Sequence, residues 1–282
     1  MSSYARFLNS LPVNPSIAAK VLTMAERQDF SFSALEEVIM RDPGLTTRIL
    51  KVANSAIYAR QTKVTRLQSA ITLLGVNTIK NLVILVTGSS LAVKNWRSPF
   101  YSLFWRQSLA TAFLARDLAA KAGSPGLAEE SFVAGLLHNI GQVAIFLGGP
   151  AAYEALVERS RREDRRISEL EREAYGTDHK EVGFEVLSLW CFPEVYSQTA
   201  LEHGNDNVTS VHKLVVMIVT VADFVASNWF FPEEARKPLD LLSPQLSYLG
   251  MDAASVDEWQ AGLRTRLEAD GFYLECQNLI KG

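Results

Sequence analysis

Gly135-Leu136-Leu137-His138-Asn139-Ile140-Gly141 is the stretch on which the fold turns. A polar His-Asn pair interrupts an apolar run whose spacing predicts one helix over about 128–146, stopped by Gly148-Gly149-Pro150. Burying such a pair without partners is costly, so it must face a polar pocket or find hydrogen bonds.

Outward from that run the pattern is helical nearly throughout. Pro15-Ser16 opens a segment with Ile17, Val21, Met24 and Ala25 at helical spacing, and Ser33 can cap a second helix carrying Leu35, Val38 and Ile39. Asp42-Pro43-Gly44 breaks that helix, because proline cannot continue it. Leu45, Ile49 and Val52 mark a third, ending near Asn54-Ser55. A fourth runs over 67–74 and is closed by Gly75; Asn77 can cap a fifth. Ser98-Pro99 reads as a cap with proline in the first turn, opening a long helix to about Lys121. Gly123-Ser124-Pro125-Gly126 is the clearest loop.

Beyond the His-Asn run, a helix shows Tyr153, Leu156 and Val157 on one face. Arg159, Arg161, Arg162, Arg165 and Arg166 lie on the other, mixed with Glu158, Glu163 and Asp164. Interleaved acids make this a solvated, ion-paired surface rather than a ligand patch. Further helices are expected over 178–190, 194–202 and 210–227, with weaker segments over 244–249 and 255–267. No stretch alternates long enough to form a convincing strand, and no repeat is present.

Composition bounds the function. The chain has 282 residues, 48% hydrophobic and 21% charged, which fits a folded globular protein. With 28 basic and 31 acidic side chains the net charge is −3, so no protein-wide field draws nucleic acid or an anionic membrane. Two distant cysteines, Cys191 and Cys276, give no disulfide framework, and a reduced cytoplasmic setting is expected. The first ten residues lack the layout of a signal peptide. The apolar stretches 82–93 and 214–222 are shorter than the roughly 20 residues that cross a bilayer, so both read as buried helices.

His138, His179, His203 and Asp223 are the candidate site residues. They come from four separate helices, and a helical bundle can gather such groups into a metal site. Spacing alone favours each being satisfied separately: His138 by a carbonyl, His179 and His203 at helix ends, Asp223 by amide donors. A lone carboxylate in the apolar run 218–225 needs a cation or several donors.

The ordered blocks carry a family resemblance. Leu11-Pro12-Val13-Asn14-Pro15, Arg41-Asp42-Pro43-Gly44-Leu45-Thr46, Ala53-Asn54-Ser55 and Ser69-Ala70-Ile71-Thr72-Leu73-Leu74-Gly75 come first. Trp105-Arg106-Gln107-Ser108, the 135–141 run, His179-Lys180-Glu181-Val182-Gly183 with Trp190 and Pro193, and Val221-Ala222-Asp223 follow. This series, over about 11–227, resembles the HDOD domain, a divergent branch of the HD phosphohydrolase superfamily found in bacterial-type signalling proteins. The resemblance implies an all-α fold. An N-terminal helical subdomain (1–95) would precede an HD-domain-like multi-helix bundle (96–230); the tail lies outside the resemblance, and its own weaker helical segments make it a C-terminal helical extension (231–282).

In catalytic members of the superfamily, histidines, a His-Asp pair and a distal aspartate hold metal. Carried over, the first histidine falls at Gln107 and the pair at His138-Asn139. His179 is kept, a His-His pair becomes His203-Gly204, and Asp223 is kept. Amides replace a carboxylate and an imidazole, leaving one formal negative charge, too little for a metal that must activate water. The expectation is therefore a non-catalytic regulatory module with a degenerate metal site, no cofactor and no metal. If an ion were held, its ligands would be His138, His179, His203 and Asp223, and the chain would be an atypical metal-dependent phosphohydrolase. Expected partners are a signalling protein and a small effector in the residual pocket, with neither membrane nor nucleic acid. No receiver, cyclase or helix-turn-helix segment is visible at either end, so association would carry the signal.

Overall fold

The computed structural model describes residues 15–26, 31–58, 63–95, 97–230 and 236–281. Leu11 to Asn14 of the opening block therefore lie outside the described residues. Among those described the secondary structure is helical, with no strand.

The N-terminal helices are α1 (Pro15–Glu26), α2 (Phe32–Met40), α3 (Pro43–Ala53), α4 (Leu67–Leu74) and α5 (Val76–Ser89). Ser31, not Ser33, caps α2, accepting from the Ala34 amide. Asp42 does more than break α2: its carboxylate accepts the Leu45 N–H and starts α3, with Pro43 in the first turn. Asn54 explains its motif. Its side-chain amide grips Val64 in both directions, each bond 2.8 Å, fixing the chain between α3 and α4. Gly75 takes φ +78 between α4 and α5, so α5 starts at Val76 without the Asn77 cap that spacing suggests.

The long α6 (Pro99–Lys121) opens on Ser98, whose hydroxyl accepts the Tyr101 N–H. The helix expected over 128–146 is two helices. They are α7 (Ala128–Leu137) and α8 (Ile140–Gly148), broken at His138-Asn139. Next come α9 (Pro150–Glu163), α10 (Ile167–Tyr175), α11 (His179–Leu189), α12 (Glu194–Glu202) and α13 (Lys213–Phe230). Asp164, at φ +46, ends α9, so Arg165 and Arg166 lie beyond it. The spacing does not predict α10, because four of its nine residues are charged and its apolar positions are few. The C-terminal part holds α14 (Ser243–Tyr248), α15 (Ala253–Gln260), α16 (Leu263–Ala269) and α17 (Gly271–Lys281). Gly262, at φ +68, divides the segment expected as one helix over 255–267.

Packing centres on α6, which lies against α7 and α13, while α11 packs on α8 and α12. The C-terminal helix α17 reaches back to both α5 and α6. A further bond fixes this part, from Trp259 Nε1 to Asp117 Oδ2 on α6 at 2.5 Å. The stretches Pro125–Gly148 and Lys213–Phe230 are long and apolar enough to cross a membrane, which the shorter runs 82–93 and 214–222 did not suggest. In the fold, 83% and 56% of their apolar windows are buried inside the protein.

Candidate functional site

Glycines bring the site helices together. A Cβ on Gly141 would fall 2.0 Å from the His179 carbonyl oxygen and 2.6 Å from Gly183 N, so α8 and α11 touch backbone to backbone. Gly135 does the same on α6, with a would-be Cβ 3.0 Å from Ala112 Cα. The glycines of the 135–141 run and of the 179–183 block thus bring the helix break at His138 against the start of α11.

The four candidates and both amide positions converge. His138, His179 and His203 are buried, Asn139 nearly so, and about a fifth of the Asp223 side chain (22%) stays exposed. The His138 and His203 rings meet edge to face at 4.9 Å, and His179 lies 5.7 Å from His203. Each ring is anchored through Nδ1. His138 Nδ1 donates to the Gly135 carbonyl at 2.7 Å, and His203 Nδ1 to the Ala200 carbonyl at 2.9 Å. His179 Nδ1 meets Glu171 Oε2 at 2.6 Å. Carbonyls only accept, so Nδ1 carries the proton in His138 and His203. That tautomer leaves Nε2 to the pocket, as metal sites require.

Other groups take up what a cation would use. The Gln107 amide nitrogen donates to Asp223 Oδ1 at 3.1 Å and to Ser227 Oγ at 2.7 Å. Thr111 Oγ1 adds a longer bond to the same Asp223 oxygen, at 3.4 Å. His138 Nε2 has the Asn139 amide nitrogen at 2.7 Å and Asp223 Oδ1 at 3.1 Å. As a neutral ring, Nε2 accepts the Asn139 N–H; as an imidazolium it donates to Asp223. Among the described residues, no three His, Cys, Asp or Glu side chains are placed to hold a metal ion. The groups brought together, three imidazoles, two amides and a single carboxylate, carry too little negative charge to fit a pair of divalent cations.

Electrostatics follow the same lines. Burial acts to raise the Asp223 carboxyl. The charge and hydrogen bond of His138, helped by His203 and Gln107, outweigh it and hold the group well below the ordinary carboxylate range. Burial pushes the His203 imidazole well below its usual value, and His138, Lys180 and His179 add to the shift. Lys180 Nζ donates to the His203 carbonyl at 2.6 Å and to Asn205 Oδ1 at 2.8 Å, closing the end of α12. Gly204 sits there at φ +66, with Lys180 Nζ 3.8 Å from where a Cβ would stand. A histidine at that position would be strained.

One member, Glu171, was not legible in the sequence. Glu171, fully buried on α10, accepts from the His179 amide at 2.9 Å and from its ring, while Tyr153 OH donates to its other oxygen. The Tyr153 hydroxyl on the apolar face of α9 was the available signal, since a buried phenol needs an acceptor. The arginine-rich surface is paired as expected: Arg159 with Glu163 at 3.0 Å, and Arg165 with Glu173 at 2.5 Å.

An all-α bundle with an anchored histidine cluster between its central helices defines an HD-like scaffold. The chain belongs to the HDOD domain family, whose profile matches residues 11–206. A curated relative, an uncharacterized protein of Treponema pallidum (strain Nichols), is 26% identical over 204 residues. That match takes in 72% of this chain but only 39% of the relative, so the chain spans about two fifths of its length. Among solved structures, an HDOD domain protein of unknown function from Geobacter sulfurreducens aligns with TM-score 0.68 at 24% identity, covering 98% of this chain and 97% of that one. A Shewanella amazonensis SB2B protein, provisionally named a phosphohydrolase, gives 0.68 at 23% identity over 99% and 98%. A Marinobacter aquaeolei VT8 protein, provisionally named a signal transduction protein, gives 0.74 at 19% identity over 98% of this chain and 60% of that one. These likenesses show the fold, and they extend it through α14–α17, past the end of the family profile.

Proposed function

We propose that the chain is a non-catalytic signal-transduction module that works by binding a partner protein or small effector. One observation carries this reading. Amides stand at two positions where the resemblance puts metal ligands: Gln107 donates to Asp223 Oδ1, and the Asn139 amide lies 2.7 Å from His138 Nε2, so neither supplies the imidazole or carboxylate a catalytic cation would need. Hydrolysis in the superfamily depends on a metal that lowers the pKa of bound water and takes up developing phosphoryl charge. Without that charge the helices remain a rigid scaffold for recognition. The free thiols of Cys191 and Cys276 accord with a reduced, cytoplasmic setting.

The opposing reading, a phosphohydrolase with an atypical site, draws on the Nδ1 anchoring of all three imidazoles. Assaying the purified protein against a panel of phosphomonoesters, phosphodiesters and cyclic nucleotides, with manganese, zinc or iron supplied, separates the two. The module reading expects no turnover above the metal-only blank. Metal-dependent turnover that disappears in His179→Ala would establish the enzyme instead.

A further inference from the structure

A cavity of about 590 Å³ lies apart from the histidine cluster, between α6 and the C-terminal helices α16 and α17. That volume is in the usual range for small-molecule sites. The cavity is a built feature of the fold. The Trp259–Asp117 bond ties the C-terminal helices to α6, and Gly271 packs so closely on Ile57 that a Cβ would come within 2.9 Å of it.

Its lining is mixed in a specific way. Tyr101, Leu274 and Ile280 give apolar surface, and the Tyr101 hydroxyl is already spent on the Ser89 carbonyl. Leu274 is 43% exposed, high for a leucine. Gln277 supplies a further polar edge. Arg106 is the cationic member. Its guanidinium lies 5.1 Å over the Phe230 ring, and it makes no ion pair with any described residue. The one carboxylate on the wall, Glu268, is engaged by Arg264 at 3.0 Å. A stacked guanidinium keeps its planar fork of N–H donors available at the edge, a shape that matches a carboxylate.

The geometry points to a binding site for a small organic monocarboxylate with an aromatic or apolar body, its head on Arg106 and its body along Tyr101, Leu274 and Ile280. The site stands whether or not the histidine cluster is catalytic, because it shares no residue with that cluster. Arg106 neighbours Gln107 on α6, and Phe230 ends the helix that carries Asp223, so a ligand here would rest on the two helices that frame the cluster.

Calorimetric titration of the full chain with naphthoate, and with uncharged naphthol as its counterpart, tests this. The expected result is saturable one-to-one binding of naphthoate. Arg106→Met, which keeps the stem and removes the charge, should weaken naphthoate by about tenfold or more and leave naphthol unchanged. Ile280→Trp, which fills the cavity, should abolish binding of both. Arg106 is exposed, so the first variant keeps its fold, which circular dichroism verifies. No binding of naphthoate at millimolar concentration, or binding indifferent to both substitutions, would overturn the assignment.

Discussion

Two regions of this molecule carry ion pairs between the same kinds of side chain, and they differ in almost everything else. On the ridge formed by α9, α10 and the turn between them, Arg159, Arg165, Glu163 and Glu173 pair where a third to a half of each side chain meets solvent. A few residues away, Glu171 and His179 meet with essentially no exposure, and Tyr153 closes the same carboxylate. Water and salt screen the first set, while the second is held in a medium where an unpartnered charge or donor is costly. A carboxylate two residues from the ridge's Glu173 has become part of the frame that aims a histidine.

The sharpest way to break this comparison is at the buried member. Glu171→Leu would leave the Tyr153 hydroxyl and the His179 ring N–H without an acceptor, and should cost about 3–5 kcal/mol of unfolding free energy in urea titration. Glu171→Gln, which still accepts a hydrogen bond, should recover part of it. A loss from Glu171→Leu no larger than that of a surface substitution would show that the buried group is not structural.

Acidification should give a smaller change. The His203 imidazole has a lowered value in the folded protein, so the unfolded chain takes up its proton first. Stability from this group is therefore full above about pH 6.5 and falls as pH drops below it, by no more than about 1.4 kcal/mol per pH unit. Asp223, also lowered, adds a loss of the same sign, but only as pH falls below about 4. Urea midpoints between pH 7.5 and pH 5.5 should decline in the wild type and decline less in His203→Gln. Equal slopes would remove His203 from the account.

The smallest effect belongs to the ridge. Arg165→Gln should leave the thermal midpoint unchanged within measurement, and raising salt should change nothing further. A marked loss there would mean that the exposed network is cooperative and that the contrast is overdrawn.

The same two regions show how legible the sequence is. The arginine ridge stands out because charge is easy to read, and it is a solvated surface. Glu171 was invisible because it lies in Glu169-Leu170-Glu171-Arg172-Glu173, where neighbouring charges mask the one that turns inward beside Leu170. Most elements could be read from caps and breakers: Asp42-Pro43, Gly75 and Ser98-Pro99 do locally what their chemistry demands. Spacing failed where tertiary contact overrides it. The apolar run over 128–146 has an unbroken helical period, yet it breaks at His138-Asn139, where the side chains are committed to the pocket. The convergence of His138, His179, His203 and Asp223 could not come from spacing. It came from residue-by-residue resemblance, and the physical reason for it, backbone contact at Gly141, appears only in three dimensions.

Metal content reads out the charge that Gln107 and Asn139 leave missing from the pocket. Wild-type protein and the Gln107→His/Asn139→Asp double variant should be loaded with manganese or zinc, dialysed, and assayed by elemental analysis. The wild type should retain substoichiometric metal, and the double variant, with a second carboxylate and a fourth imidazole, should retain more. Wild-type protein holding one or two ions per chain through dialysis would contradict this.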